Sequence, residues 1–489
     1  MWLKQRKSEI LIFAMLFLAG AAFYHPVEYD NTVSRYALLS AIVDYGTLNI
    51  DVYQTKTMDK SAWGNHYYSV KAPGASFLGV PVYWFLRNYT PLKSFPPLIR
   101  LNMYIVRVIT TTLLFALLGV VMYRLAQLCG AFSIQALLMV IAYGFGSIAL
   151  LHATLFSGHQ IAACLGFYSF ALMVWLFVNQ NQQTGFTILG LGFLAGIFSG
   201  FAVLTDYPAV VIAFFMAVYF MTAPFKWQIK TGFIAGGFVC LFILAAYNTF
   251  CFGHPFSFSY GNMVEKEFQA LAAQGILGVG FPRLESLWGL LFSPSHGVFF
   301  IMPVFLLSIW GVVRMVDKKN LQRVTFLITG IVIGSFLLIS GCYGWEAGMT
   351  FGPRYLVFML PFLAFPIAFL RWRPYMFWLL FIPSCLQVML PVIGVPHVNE
   401  GIVNPIKEFI IPSIIQGDVS WNLIELLGLV WPWSVVTIIS LIALICVWAF
   451  RSTSRDQSRV PYERVSFFTV IFLLCWICAI AVTLVLLKT

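Results

Sequence analysis

The 489-residue chain is 60% hydrophobic and only 10% charged, with a mean hydropathy of +0.87, against roughly 45–50% apolar and 25% charged residues in soluble domains. This composition excludes an ordinary soluble enzyme or binding module; at about 20 apolar residues per crossing, there is room for about a dozen helices in one membrane domain. A formal net charge of +11 would suggest nucleic acid in a soluble protein, but here the basic residues act first as topology signals, and no nucleic-acid partner is expected.

Apolar runs predict membrane spans near 9–24, 101–126, 134–152, 160–179, 186–205, 207–224, 230–251, 297–315, 323–342, 355–371, 375–394, 427–450 and 465–487. The expected fold is an all-α polytopic membrane protein of about 13 transmembrane helices, in a single domain over 1–489. MWLKQRK before the first run reads as the start of an uncleaved helix. Five basic clusters are expected on the cytoplasmic side: Lys4, Arg6 and Lys7; Lys226 and Lys230; Lys318, Lys319 and Arg323; Arg371 and Arg373; and Arg451, Arg455, Arg459 and Arg464. They agree only if the short run 75–86, with Pro73 ahead of it and Pro81 within it, lies on the surface instead of crossing. The N-terminus is then inside and the C-terminus outside. A first outer loop covers 25–100 with juxtamembrane helices, and 252–296 and 395–426 form further outer segments. His152–His159, Asp206 and Cys342–Arg354 fall on the same face. Of the nine cysteines, most sit in apolar runs and read as small hydrophobes, including Cys475 and Cys478 of a CxxC. No disulfide framework is implied.

The outer loop 25–74 holds Glu28, Asp30, Asp44, Asp51 and Asp59, five of the chain's 18 acidic residues. Asp30, just beyond the first span, is placed to act as a general base toward a hydroxyl, with Glu28 as the alternative and Arg35 close enough to orient either. Lys71 in YYSVKAPG, which also contains Tyr68, can meet a lipid phosphate as a compact point charge. Asp59 and Lys60 read as a surface ion pair of little consequence. Asp206 in LTDYPA is either a costly acid retained for function or a turn residue. His152 and His159 flank an outer turn and read as ordinary hydrogen-bonding histidines. In GCYGWEAGMTFGPRYL, the residues Trp345, Glu346, Arg354 and Tyr355 suit a sugar and its phosphate, or else form an interfacial aromatic belt. No complete metal-ligand set is visible; a divalent metal is left open.

DNTVSRYALLSAIVDYGTLNID, YYSVKAPG and FGPRYL resemble bacterial members of the GT-C superfamily of integral-membrane glycosyltransferases, the group of the protein O-mannosyltransferases and the lipid A aminoarabinose transferase. The resemblance implies inverting transfer of a sugar from a polyprenyl phosphate, such as undecaprenyl phosphate, to an acceptor hydroxyl on a glycan, lipid or protein. It places the enzyme in the bacterial inner membrane, active face outward. By the family's pattern Asp30 is the base and Lys71 the donor-phosphate ligand; Arg354 is expected beside Lys71 at the phosphate. Arg35, Tyr68, His159, Asp206, Trp345, Glu346 and Tyr355 are expected to bind substrate. Two departures stand out: Asp30 lies two residues farther ahead of Arg35-Tyr36-Ala37 than the family's acid does, and His159 replaces an acid in the second outer loop. A polysaccharide polymerase or ligase using a lipid-diphosphate glycan, and a lipid-linked sugar flippase, are the alternatives.

Overall fold

The computed structural model describes residues 2–25, 29–94, 100–370, 374–399 and 401–454. Glu28, Arg371, Arg373 and the predicted span 465–487 lie outside them. The chain is mainly helical. Its longer helices among the described residues are, in order, α1 (Trp2–Ala22), α2 (Asp30–Tyr45), α3 (Gly74–Tyr89), α4 (Arg100–Leu128), α5 (Ser133–Phe145), α6 (Gly158–Asn179), α7 (Gly185–Thr205), α8 (Tyr207–Thr222), α9 (Trp227–Phe252), α10 (Pro303–Val316), α11 (Gln322–Gly341), α12 (Arg354–Phe369), α13 (Pro374–Ile393) and α14 (Trp433–Ser454). Seven helical stretches, in α4, α6, α7, α9, α11, α13 and α14, are long and apolar enough to cross a membrane. Helices also fall on the other five predicted spans within the described residues, where they are shorter, more charged or broken.

The breaks have local causes. The run 297–315 divides at Met302, where Pro303 opens a new turn. The run 355–371 alternates 3₁₀ and α turns around Pro361 and Pro366, because each proline removes a backbone donor and clashes with the preceding turn. α3 extends the surface run to 16 residues, about 24 Å at the standard rise and short of the roughly 30 Å hydrocarbon core. Trp84, Phe85 and Tyr89 are exposed along it, with Tyr89 edge-on to Trp84 and stacked on Phe85.

Several of the segments expected on one face touch one another. Phe23–Tyr24 pairs with Trp421–Asn422, and isolated bridges join Ser61 to Met263, Val279 to Cys342 and Thr350 to His397. At the opposite end Ser8 Oγ donates to Ser452 Oγ at 3.1 Å, Arg124 meets Glu9 at 2.5 Å, and Lys226 Nζ donates to the Gln180 carbonyl at 2.9 Å.

Arg107, buried in α4, ties the first helix to this framework. Its guanidinium donates to the Gly20 carbonyl at 2.6 Å and the Phe23 carbonyl at 3.0 Å, satisfying acceptors that a helix C-terminus leaves without partners. His25 follows directly, its two ring nitrogens 2.8 Å from Thr154 Oγ1 and 2.7 Å from Ser420 Oγ. Burial, with Arg107 nearby, lowers its pKa to about 3, so the ring is neutral.

α7 and α9 pack backbone to backbone through glycines. A Cβ on Gly196 would stand 2.1 Å from the Phe233 carbonyl oxygen, and one on Gly236 would stand 2.1 Å from that of Phe193. Lipid supplies no hydrophobic drive for helix pairing, so such contact rests on close van der Waals fit. We expect Gly196→Val or Gly236→Val to lower the thermal midpoint of the detergent-solubilised protein, at a cost of about 1–3 kcal/mol or more. Gly190→Ala, where an added Cβ meets nothing within 4 Å, should leave the midpoint within a degree or two.

Candidate active site

A small hairpin sets the first charged pair. Lys60–Trp63 pairs antiparallel with His66–Ser69, with Lys60 opposite Ser69 and Trp63 opposite His66. The two-residue turn is Gly64-Asn65 with Gly64 at φ +60°, a conformation glycine adopts without the Cβ penalty and one that suits the first position of a type II′ hairpin. This register brings Asp59 and Val70 together, and the Val70 N–H points to the Asp59 carbonyl at 3.4 Å. Asp59 Oδ2 therefore lies 2.9 Å from Lys71 Nζ, both side chains mostly buried. Ser34 of α2 clamps the pair, donating to the Asp59 carbonyl at 2.5 Å while its Oγ lies 2.8 Å from Ser69 Oγ. The expected Asp59–Lys60 surface pair is thus corrected: the Lys60 ammonium turns away to the Gln54 carbonyl, and the partner of Asp59 is Lys71.

Arg35, only 6% exposed, lies on the same helix one residue beyond Ser34. Its Nη1 donates to the Asn31 carbonyl at 3.0 Å. The guanidinium lies against Gly158, where a Cβ would be 3.1 Å from Nη2 and 2.9 Å from the Thr205 carbonyl oxygen. Glycine at the start of α6 is what lets Arg35 approach the end of α7. The next residue, His159, meets Asp206 with Nδ1 2.7 Å from Oδ2, and Asp206 ends α7 in an extended conformation. The His159 ring is edge-on to His152 on one side and Tyr355 on the other, each at 5.8 Å between centroids.

Arg354 arrives from the far part of the chain. Thr350 bridges to His397, the Phe351 N–H donates to the Pro396 carbonyl at 3.0 Å, and the Val398 N–H to the Met349 carbonyl at 2.6 Å. Arg354 Nη1 donates to Thr350 Oγ1 at 3.0 Å. The loop is thereby fixed before the guanidinium reaches the cluster.

Lys71, Arg35 and Arg354 act on one another. Burial lowers the Lys71 pKa to about 8; Asp59 opposes that, while Arg354 and Arg35 push the same way as burial. Arg35 is also lowered by burial, with Asp206, Asp59 and Tyr260 raising it and Arg354 lowering it. Three cations thus face two carboxylates, Asp59 and Asp206. Both Arg35 Nε and Arg354 Nε are buried with no protein acceptor. A buried N–H without an acceptor costs roughly 1–3 kcal/mol, more when charged. Such a set of donors matches an anion with several oxygens, and phosphate above all.

Of the residues expected from the sequence, Lys71, Arg354, Arg35, His159, Asp206 and Tyr355 converge here. Asp30 is half-buried at the start of α2, and its Oδ1 accepts from the Met58 N–H at 2.6 Å. Tyr68 packs edge-on to Phe252 at 5.4 Å. Trp345 lies over Gly289 and edge-on to His296, and Glu346 is exposed. Asp59, expected only in a surface ion pair, and Tyr260, not singled out in the sequence, join the cluster. For Asp59 the signal was present, a two-residue Gly-Asn turn between short strands that fixes which residues face each other; for Tyr260 the linear sequence offers none. Among the described residues, no group of three His, Cys, Asp or Glu side chains is placed to hold a metal.

No family model matches the chain, and no curated protein does. Among solved structures, the chain is similar to ArnT from Cupriavidus metallidurans bound to undecaprenyl phosphate, at 12% identity and a TM-score of 0.48, over 97% of this chain and 76% of that one. It is similar to the same protein in the apo state at 14% identity and a TM-score of 0.48, over 97% and 75%.

Proposed function

We propose that the chain is a GT-C-type membrane glycosyltransferase that moves a sugar from a polyprenyl phosphate to an acceptor hydroxyl, with inversion, at the outer face of a bacterial inner membrane. The observation that carries this reading is the trio of buried Arg35 and half-buried Lys71 and Arg354, with two buried guanidinium donors unmet. Together they suit the phosphate of a lipid-linked donor. As the bond between the anomeric carbon and the phosphate oxygen breaks, negative charge grows on the departing lipid phosphate, and fixed cations in a water-poor site stabilise that change.

The acceptor oxygen attacks the anomeric carbon from the opposite side and gives up its proton. We assign that proton to the His159–Asp206 pair: Asp206 orients Nδ1, which leaves Nε2 to act as general base, a step worth roughly 10²–10⁴-fold. Asp30, the base implied by the family pattern, is assigned instead to holding the 57–59 turn through the Met58 N–H.

Purified protein should carry a polyprenyl phosphate visible by native mass spectrometry, and Lys71→Ala combined with Arg354→Ala should lose it. A copurified lipid without phosphate would overturn the reading. Asp206→Asn should cut kcat by about 10²-fold or more with lipid-phosphate affinity within a few-fold, whereas Asp30→Asn should keep most turnover. The reverse result returns the base to Asp30.

Lys71 binds phosphate as an ammonium, which is present below its pKa of about 8 and lost above it. The kcat/KM, which reports free-enzyme ionisations, should therefore fall as the pH rises through about 8. Lys71→Arg should move that fall to higher pH; an unchanged profile in this variant would remove Lys71 from the phosphate site.

A further inference from the structure

Two histidines beside the phosphate cluster have no task in the reaction just described. His152 is 2% exposed and His397 is 8% exposed, and the Nε2 atom of each is buried without a protein partner. Each is held in place through other contacts. His152 Nδ1 lies 2.9 Å from Ser157 Oγ, and its ring is edge-on to His159. His397 is fixed by the Thr350 bridge and the Val398–Met349 hydrogen bond, and its ring stacks on Tyr29, which caps the start of α2. They come from segments 245 residues apart by number, yet His152 and Arg354 both act electrostatically on His397.

A buried imidazole nitrogen without a partner is unfavourable unless something else supplies the hydrogen bond. Phosphate is well matched by the nearby guanidinium and ammonium donors. A neutral imidazole nitrogen, donor or acceptor according to tautomer, suits a hydroxyl. Burial keeps His397 neutral, and the nearby Arg354 guanidinium acts in the same direction. Charge and position together separate these two nitrogens from the phosphate ligands and place them beside Arg354.

We propose that His152 and His397 form the glycosyl-recognition site, their Nε2 atoms hydrogen-bonding hydroxyl groups of the sugar carried on the lipid phosphate. This rests on the reading of the cluster as a lipid-phosphate site and adds the residues that read the sugar. They would be specificity-determining residues that act by direct contact, with no covalent step. A site built to hydrogen-bond a hydroxyl rejects a ligand that lacks it, because its own polar groups are then left unpaired.

The test measures binding to the full-length protein in nanodiscs, using undecaprenyl phosphate and a series of undecaprenyl phosphoryl-hexoses and phosphoryl-pentoses. The wild type should hold at least one glycosylated lipid more tightly than the bare phosphate. His152→Ala and His397→Ala should each weaken that preferred lipid about three- to tenfold and leave bare undecaprenyl phosphate within twofold. His→Gln, whose amide can replace Nε2, should restore part of the loss and guards against variants that merely fold poorly. Equal weakening of bare and glycosylated lipid, or no weakening of either, would overturn the proposal, as would a wild type that shows no preference for any sugar. If the wild type binds no lipid phosphate at all, the phosphate reading falls and this inference falls with it; if phosphate binding stands while sugar preference is untouched by both variants, this inference alone fails.

Discussion

Electrostatic repulsion among three cations held largely out of water is the constraint around which this end of the bundle is built. At an effective dielectric near 20, like charges a few ångströms apart cost on the order of a few kcal/mol, and burial adds a desolvation cost for each. Asp59 and Asp206 offset part of it, and each is fixed by backbone geometry: Asp59 by the hairpin register with Val70, Asp206 by the termination of α7. Lys71, Arg35 and Arg354 cannot relax apart without breaking the hairpin, the Gly158 contact or the Thr350–His397 bridge. The arrangement is pre-organised for an anion because its own parts do not fully neutralise it.

The membrane helices were largely legible in the sequence, and the reason is physical. A hydrocarbon layer of fixed thickness forces long apolar runs, and basic clusters order them by side; the loops so assigned to one face do touch each other, from Ser61 with Met263 to Thr350 with His397. Helix regularity was less legible where Pro303, Pro361 and Pro366 break it. Charge partners were least legible, because they depend on register and helix phase. Asp30 and Arg35 look like neighbours in the sequence, but residues five apart on an α-helix point about 140° away from each other. Asp59 sits beside Lys60 in sequence and beside Lys71 in space, for the matching reason that strands alternate.

Scaffold and site meet at the end of α7. The glycine contacts with α9 fix the height and rotation of that helix, and its last residue, Thr205, lies against Gly158 before Asp206 turns out to His159. Membrane packing thus sets the position of a carboxylate to within a hydrogen bond. Small residues along one stripe and a single acid at its end form one mechanical unit, although nothing in their spacing announces the connection.

The link between His25 and Ser420 spans 395 residues, and with the pairing of Phe23 to Asn422 it joins the first described helix to the segment leading into the last. A ribosome adding about 5–20 residues per second needs on the order of 20–80 s to supply that partner once His25 has emerged. Through that interval the end of α1 that carries His25 is unclasped on this side, and the ring has only Thr154, made about 129 residues later, to meet it. The charged end of the bundle is therefore completed late in synthesis. A chain truncated before residue 420 would carry every residue of the charged cluster while lacking the clasp that closes the structure around it.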